Sequence, residues 1–451
     1  MLGAMSPLLS LAIAASVNLS SLAPGGDTFA TYPLKVSSNG RYLVDRTKKP
    51  FLIVGDSPQA LMVNPSDSDA EAYFANRANL GFNAVWINLL CSTYTGGRAD
   101  GSTMGGVLPF TSPMDFSKPN EAYFAHCDSI IRLAAKYGLV VFLDPAETGG
   151  FLAAMRSNGE AKCTAFGQFL GNRYKNFDNI VWMSGNDFQN WSDPANDAVV
   201  AAVSKGIKQA DSRHIHTIEL DYLLSSSTND PVWAAIVSLN GAYTYYPTYA
   251  EVLKDYNRKP TMPVFMMEAD YEFENGADSQ RLRREEYWAF LSGATGEIYG
   301  NKYIWPFLSG WQNHLNTPGA VQFGYVKTLF QSRPWYELAP DQQHKILTSG
   351  YGAFAANGAA HTSTSTNDYA TAAATPDGRL VIAYIPTART VTIDMTKLRR
   401  PATARWFDPA DGAFSSAAPG RLPNTGTHSF SSPGLNSEGG SSSDWVLLLE
   451  V

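Results

Sequence analysis

Two acidic residues stand where catalysis would need them. Asp187 follows an apolar run in "VWMSGNDFQN" (181–190), where Val181 to Met183 give way to Ser184-Gly185 and then to an amide and a carboxylate. Glu268 closes a second apolar run, "PVFMMEA" (263–269). Asn and Asp after a strand are common turn formers, but they are also the make-up of an active-site rim. Two carboxylates facing across a cleft can cleave a glycosidic bond: one protonates the leaving oxygen, and the other attacks the anomeric carbon or activates water. A retaining enzyme holds the pair ~5–5.5 Å apart and an inverting one ~6.5–9.5 Å. Asp270, Glu272 and Glu274 compete with Glu268, which is preferred because it lies on the strand end, where the backbone is stiffest. Asn186 can donate to a sugar 2-hydroxyl or simply cap its turn.

Positioning such a pair takes a scaffold, and the chain has a matching rhythm. Strand-like runs at 51–56, 82–88, 139–145, 179–185, 214–220, 234–241, 263–269 and 296–300 alternate with helical stretches such as Ser66–Leu80 and Glu121–Tyr137. Gly81 and Gly138 follow those two helices directly before β-rich runs, a helix C-terminal signal. Near-continuous apolar runs are strands buried on both faces, and eight of them alternating with helices predict a (β/α)8 TIM barrel over about residues 50–335. A doubly wound sheet is the competing fold, but no Gly-rich phosphate fingerprint follows the first strand. Chemistry in such barrels sits at the C-terminal strand ends. The polar residues there are Asp56, Asn88, Asp144, Asn186, Asp187, Asp221, Asn240 and Glu268. Any one of them can be an ordinary strand stop. The Gly-, Ser- and Pro-rich insertion 91–120 suits a cleft wall. Trp305, after the eighth run, can stack on a sugar or pack in the core. Of Tyr243, Tyr245 and Tyr246, Tyr245 is favoured to hold Glu268 ionised through its hydroxyl. Trp86 and Trp182 lie inside strands and read as core.

From about residue 343 the period changes. Short runs at 379–386, 390–395 and 445–451, broken by turns such as "DPADG", predict a small C-terminal β-sandwich without helices. The predicted organisation is 1–32 as a signal-like or linker segment, 33–342 as the catalytic domain and 343–451 as the sandwich. The N-terminal apolar run points to export (secreted or periplasmic), although it lacks a basic flank. A net charge of −7 and the lack of a Lys/Arg cluster give no pull toward nucleic acid or an anionic membrane. Cys91, Cys127 and Cys163 lack metal-ligand spacing, and Cys127 falls on an apolar helix stripe. His214 and His216 share a strand face without a third ligand and read as packing. No metal, cofactor or permanent partner is expected; the chain reads as a monomer acting on carbohydrate.

"GND" after the fourth run, "EADYE" (268–272) after the seventh, "NTPGAVQFGYVKTLFQSRPWYELAPD" and the opening "FLIVGDSPQALM" together resemble the apiosidase-like glycoside hydrolases of the family-140 type. These are clan-A barrels with a collagen-binding-type C-terminal sandwich, and the likeness spans roughly residues 33–450. It implies an Asp acid/base at Asp187 and a Glu nucleophile at Glu268. It implies a structural or substrate-orienting role for Tyr271 and Glu272, and it places Asp56 at the end of the first strand, among the substrate-binding positions Asn88, Asp144, Asn186, Tyr245, Glu272 and Trp305. Pro58-Gln59 stands where relatives carry Trp, and "YGNKYIWPF" (299–307) matches the eighth-strand pattern loosely. The resemblance therefore implies a retaining glycosidase more firmly than it implies apiose as the sugar. The competing function is a non-catalytic carbohydrate- or matrix-binding protein on the same scaffold.

Overall fold

A computed structural model describes residues 30–451, so the signal-like run lies outside the described residues. Local signals place the helices close to their predicted bounds. Helix α1 (Asp67–Asn79) is capped by Ser66, whose hydroxyl accepts from the Asp69 amide, with Asp67 and Asp69 in its first turn. Helix α2 (Glu121–Lys136) starts at the Asn120 cap and buries Tyr123, Phe124, Cys127, Ile130, Ile131 and Ala134 on one stripe. Gly81 and Gly138, at φ 94° and 73°, end both helices in the left-handed conformation that glycine allows.

Eight parallel strands follow the predicted order: β1 (Ile53–Asp56), β2 (Ala84–Asn88), β3 (Val140–Asp144), β4 (Ile180–Ser184), β5 (His216–Ile218), β6 (Asn240–Thr244), β7 (Val264–Glu268) and β8 (Gly296–Tyr299). They hydrogen-bond in the order β5-β4-β3-β2-β1-β8-β7-β6, with a ninth, antiparallel segment, Leu224–Ser226, on the free edge of β6. The result is a curled, TIM-barrel-like sheet. Between β5 and β6 there is a seam in place of a ladder. Ser238 N donates to His216 O at 2.9 Å. The Ser227 hydroxyl accepts from Gly241 N at 2.9 Å and donates to Ile218 O at 2.5 Å. Ile53, Trp86, Phe142, Met183, Phe265, Met267 and Ile298 fill the interior. Trp182 and its outward neighbours pack under the helices. Leu34, Leu43 and Phe51, from a small antiparallel sheet near the N-terminus, close the interior from one end.

The sixth predicted strand needs correction. The apolar run 234–241 supplies the end of a one-turn helix, Pro231–Ala234, and a connection, and the strand is Asn240–Thr244. Asp230 caps that helix and Pro231 pre-sets its first turn, so the local signal overrides the apolar run. Asn240 therefore opens a strand, away from the C-terminal rim where it was expected.

The C-terminal region is an antiparallel sandwich. One sheet runs Ala339–Pro340, Thr371–Ala374, Leu380–Ile385, Trp445–Glu450, Ala402–Phe407, Phe414–Leu422, and the other is Leu347–Ser349, Thr390–Asp394, Thr427–Ser431. Val381, Ala383, Leu447 and Trp406 face Val391, Ile393 and Phe430 across it. The other face of the larger sheet lies on α7 (Ser279–Leu291) and α8 (Pro318–Gln331), through Ile382, Tyr384, Val446 and Leu448. Arg283 of α7 grips Asp444 through two nitrogens at 2.9 and 2.8 Å, and Tyr287 stacks on Tyr384 at 4.9 Å. Contrary to expectation, this region holds a five-residue helix, Thr362–Thr366. It lies in the connection between the sandwich strands Leu347–Ser349 and Thr371–Ala374 and is tied to α7 by Arg281 and Arg284, which bond Ser365 Oγ and Asn367 O at 2.7 Å each. Thus α7, polar along much of its sequence, is buried between two domains.

Candidate active site

Asp187 projects from a backbone that ordinary side chains avoid. Gly185, Asn186 and Asp187 are all left-handed, at φ 110°, 60° and 56°. Gly185 is obligatory, because a Cβ there would lie 2.0 Å from Glu219 O. Asn and Asp are the side-chain-bearing residues that best tolerate such a turn, though each still costs about 1 kcal/mol or more. The turn is tied down by Thr148, at the start of α3 (Thr148–Tyr174), whose hydroxyl and amide both donate to Gly185 O at 2.8 Å. Glu219 Oε2 receives the Asp187 amide at 2.9 Å.

Hydroxyl groups surround the two carboxylates. Tyr94, from the 91–120 insertion, donates to Asp187 Oδ2 at 2.7 Å, and Tyr243 donates to Oδ1 at 2.9 Å. Glu268 receives Tyr245 on Oε1 and Tyr271 on Oε2, both at 2.6 Å. The Tyr243 and Tyr245 hydroxyls lie 3.0 Å apart, which links the two carboxylates through a chain of two phenols. Ser57 and Gln59 hold the Tyr271 hydroxyl at 2.8 and 3.1 Å. Gly300 leaves room for the Tyr271 ring, which a Cβ would meet at 2.1 Å. Among the described residues no Lys, Arg or His pairs with Asp187 or Glu268.

Without a cation, burial sets the charges. Burial and the neighbouring Asp187 push Glu268 up to about 8. Burial likewise raises Asp187, with the charge of half-buried Asp221 adding to it. Glu219 is raised as well, driven by burial and then by Glu268 and Asp187, and its Oε1 has no partner. Three interacting acids in one pocket share their protons. When Asp187 holds a proton its repulsion on Glu268 vanishes, and the short Tyr245 and Tyr271 bonds then favour Glu268 as the carboxylate. A cavity of about 470 Å³ opens beside Asp187, lined by Tyr94, Gly149, Arg156, Phe188, Gln189 and Asn190. A second, of about 540 Å³, lies near Tyr42, Tyr256 and Trp335 and has no facing acid pair: its acids Glu337 and Asp377 are held by Arg379.

Several expected site residues are engaged inside the protein instead. Asp56 is fully buried and accepts from Tyr73 at 2.6 Å and from Arg77 Nε at 2.5 Å. It anchors α1 to β1 and is not turned toward a substrate. Asn88 accepts from Trp86 Nε1 and donates to Glu147. Glu147 in turn takes Ser92 N at 2.6 Å and Thr95 Oγ1, so this cluster pins the root of the 91–120 insertion. Glu272 is buried and accepts from Tyr299, Thr317 and Asn301 on Oε2 and from Gly319 N on Oε1, so both of its oxygens are engaged within the protein. Asp144 is buried, with one oxygen bonded to Ala146 N and the other unpartnered. Asn186 Oδ1 is also unpartnered at the mouth. Trp305 is half-buried, and its Nε1 donates to Glu274 at 2.7 Å. His214 bonds Asp211 at 2.5 Å, and burial pushes His216 down to about 3. Among the described residues no group of acids, His and Cys is arranged to hold a metal.

Sequence reasoning passed over Tyr94 and Glu219. Tyr94 lies in a loop without periodicity, and nothing local marks it. Glu219 did carry a signal: a carboxylate inside an apolar strand run is rarely buried without a partner or a task.

Residues 37–337 match the family described as "Apiosidase-like, catalytic domain". The chain belongs to this apiosidase-like family. Residues 360–450 of the apiosidase-like chain match the description "Putative collagen-binding domain of a collagenase". No curated protein matches it significantly. Among solved structures, one named "Glycoside hydrolase" superposes with a TM-score of 0.79 at 23% identity, over 93% of this chain and 97% of the other. A glycoside hydrolase family 5 structure from Bacteroides vulgatus ATCC 8482 gives 0.77 at 22% identity, over 92% and 93%. At these identities the likeness is one of fold. The family match makes the apiosidase-like chain a glycoside hydrolase. Among the described residues no helix is long and apolar enough to cross a membrane.

Proposed function

We propose that this enzyme is a retaining glycosidase, with Glu268 as nucleophile and Asp187 as acid/base, built on a (β/α)8 barrel whose strands β5 and β6 meet at a seam. One observation carries the reading: carboxylates at the ends of opposite strands, β4 and β7, meet no cation and are linked by two tyrosine hydroxyls, Tyr243 on Asp187 and Tyr245 on Glu268, that touch at 3.0 Å. A retaining enzyme requires such a pair to stand ~5–5.5 Å apart. In the first step Glu268 attacks the anomeric carbon, the bond to the leaving oxygen breaks, and the Asp187 proton passes to that oxygen. In the second, Asp187 takes a proton from water, the water oxygen attacks the glycosyl ester, and Glu268 leaves as carboxylate. The unpartnered Asn186 Oδ1 and the half-exposed Trp305 are available to a sugar hydroxyl and a sugar face. Family membership favours apiose or another furanose in a polysaccharide side chain, and the signal-like run supports export to where such chains are met.

The test is a screen of aryl glycosides, furanosides included, on the purified full chain, followed by the two alanine variants. Glu268→Ala is expected to lose activity by ~10⁴-fold or more. Asp187→Ala is expected to spare substrates whose leaving group needs no proton and to regain turnover with azide. Full activity of Glu268→Ala would refute the assignment.

A further inference from the structure

A connection within the C-terminal region, between the strands Leu347–Ser349 and Thr371–Ala374, reaches the tyrosines beside Glu268. Tyr249 of α6 (Thr248–Tyr256) anchors it, its hydroxyl donating to Ala355 O and accepting from Ala355 N at 2.8 Å each. Six residues on, the chain reaches the proposed nucleophile's neighbourhood. His361 N donates to Tyr245 O at 2.7 Å. The His361 ring lies on the Tyr245 ring, centroids 4.5 Å apart at 36°. Its Nδ1 bonds Asp270 Oδ1, whose other oxygen takes Arg281 Nη1 at 3.2 Å. The Tyr245 hydroxyl, at the far end of the clamped ring, is the one that donates to Glu268 Oε1 at 2.6 Å.

His361 holds this place in an unfavourable backbone conformation, φ 63° and ψ −54°. Side-chain-bearing residues adopt it only where surrounding contacts over-determine it, and such strain clusters at functional sites. A connection with no task would carry glycine at that position, as it does at Gly358, three residues earlier. The strain is kept together with a ring that touches a single catalytic-site tyrosine.

We propose that His361 is a positioning residue for Glu268: its ring and backbone fix Tyr245 so that the tyrosine hydroxyl meets the carboxylate, which makes this loop of the C-terminal domain part of the glycosidase site. The proposal rests on the reading of Glu268 as nucleophile.

His361→Gly is the decisive variant. It removes the ring with its bond to Asp270, keeps the amide and relieves the backbone strain, so a purely structural role predicts a change confined to thermal stability, with unchanged turnover of the folded protein. The expected result in the full chain is a kcat of the folded protein lowered about 10-fold, the scale of one hydrogen bond to a charged group, with KM nearly unchanged. His361→Phe, which restores a ring against Tyr245, should recover most of the loss. Combined with Tyr245→Phe, His361→Gly should add no further loss, because both act through the same hydroxyl. An unchanged kcat, a defect confined to KM, or losses that multiply in the double variant would each overturn the proposal. If the wild type hydrolyses no glycoside, the hydrolase reading fails by itself. A crystal structure of His361→Gly then judges this one: a Tyr245 hydroxyl displaced from Glu268 supports it, and an unmoved one refutes it.

Discussion

The two sides of the barrel mouth use the same residue types to opposite ends. On the β1–β8 side, Asp56 lies against Arg77 and Tyr73, and Glu272 receives four donors from neighbouring elements. On the β4–β7 side, Asp187 and Glu268 face each other with tyrosine hydroxyls and no counter-ion. A buried acid whose oxygens are taken up by donors from neighbouring elements ties those elements together and is useful as an anchor. A buried acid with hydroxyls alone can gain or lose a proton near neutrality, which acid/base chemistry requires. What separates the two sides is the third partner, since strand position and residue type are alike.

Exchanging amides for acids on the two sides tests this contrast most strongly. Asp187→Asn should lower kcat ~10²–10⁴-fold for substrates with poor leaving groups, with Tm close to wild type. Asp56→Asn should instead cost ~3–5 kcal/mol of stability by leaving Arg77 buried and unpaired, with kcat of the folded fraction within a few-fold. Chemical denaturation and steady-state kinetics on both variants read the two effects separately, and swapped outcomes would break the comparison.

The next effect is pH dependence. Glu268 has a folded-state pKa raised to about 8 from an ordinary 4.5. A raised carboxyl favours folding fully below its unfolded pKa, and that contribution is lost as pH climbs from about 4.5 through 8. Glu268→Gln should therefore be more stable relative to wild type at pH 9 than at pH 5, seen as a widening Tm difference. A difference that narrows with rising pH would contradict the burial argument. Tyr94→Phe removes one of two donors to Asp187 and should lower kcat/KM roughly 10-fold, with an altered pH–rate profile. The smallest change expected is at Trp305. Trp305→Ala should raise KM several-fold and cost less than the ~3–5 kcal/mol of a fully buried aromatic, because its ring is half-exposed. A large stability loss with KM unchanged would make it core.

Much of this was legible before any coordinates. Helix-Gly-strand repeats and doubly buried apolar runs mark seven of the eight strands close to their places, because those patterns follow from burial on both faces. The sixth fails because "AAIVSL" is apolar without being a strand, and the Asp230-Pro231 start of a helix turn outweighs it. Tyr245, Asp187 and Glu268 could be singled out by position after a strand. The anchoring roles of Asp56, Asn88 and Glu272 could not, because their partners, Arg77, Glu147 and Thr317, come from other elements. His361 is the extreme case, brought to Tyr245 from more than a hundred residues away by the docking of one domain on another.

The seam between β5 and β6 has a dynamic consequence. Everywhere else around the sheet neighbouring strands pair directly through their backbones, whereas here a serine side chain and two amides converging on one carbonyl, that of His216, do the joining. Amide protons near Gly241 and Ser238 should exchange with deuterium sooner than those of β2 or β3. Strand β6 carries Tyr243, so each opening of the seam would disturb a hydroxyl that touches Asp187. The weakest joint of the scaffold and the tyrosine that holds Asp187 are neighbours on one strand.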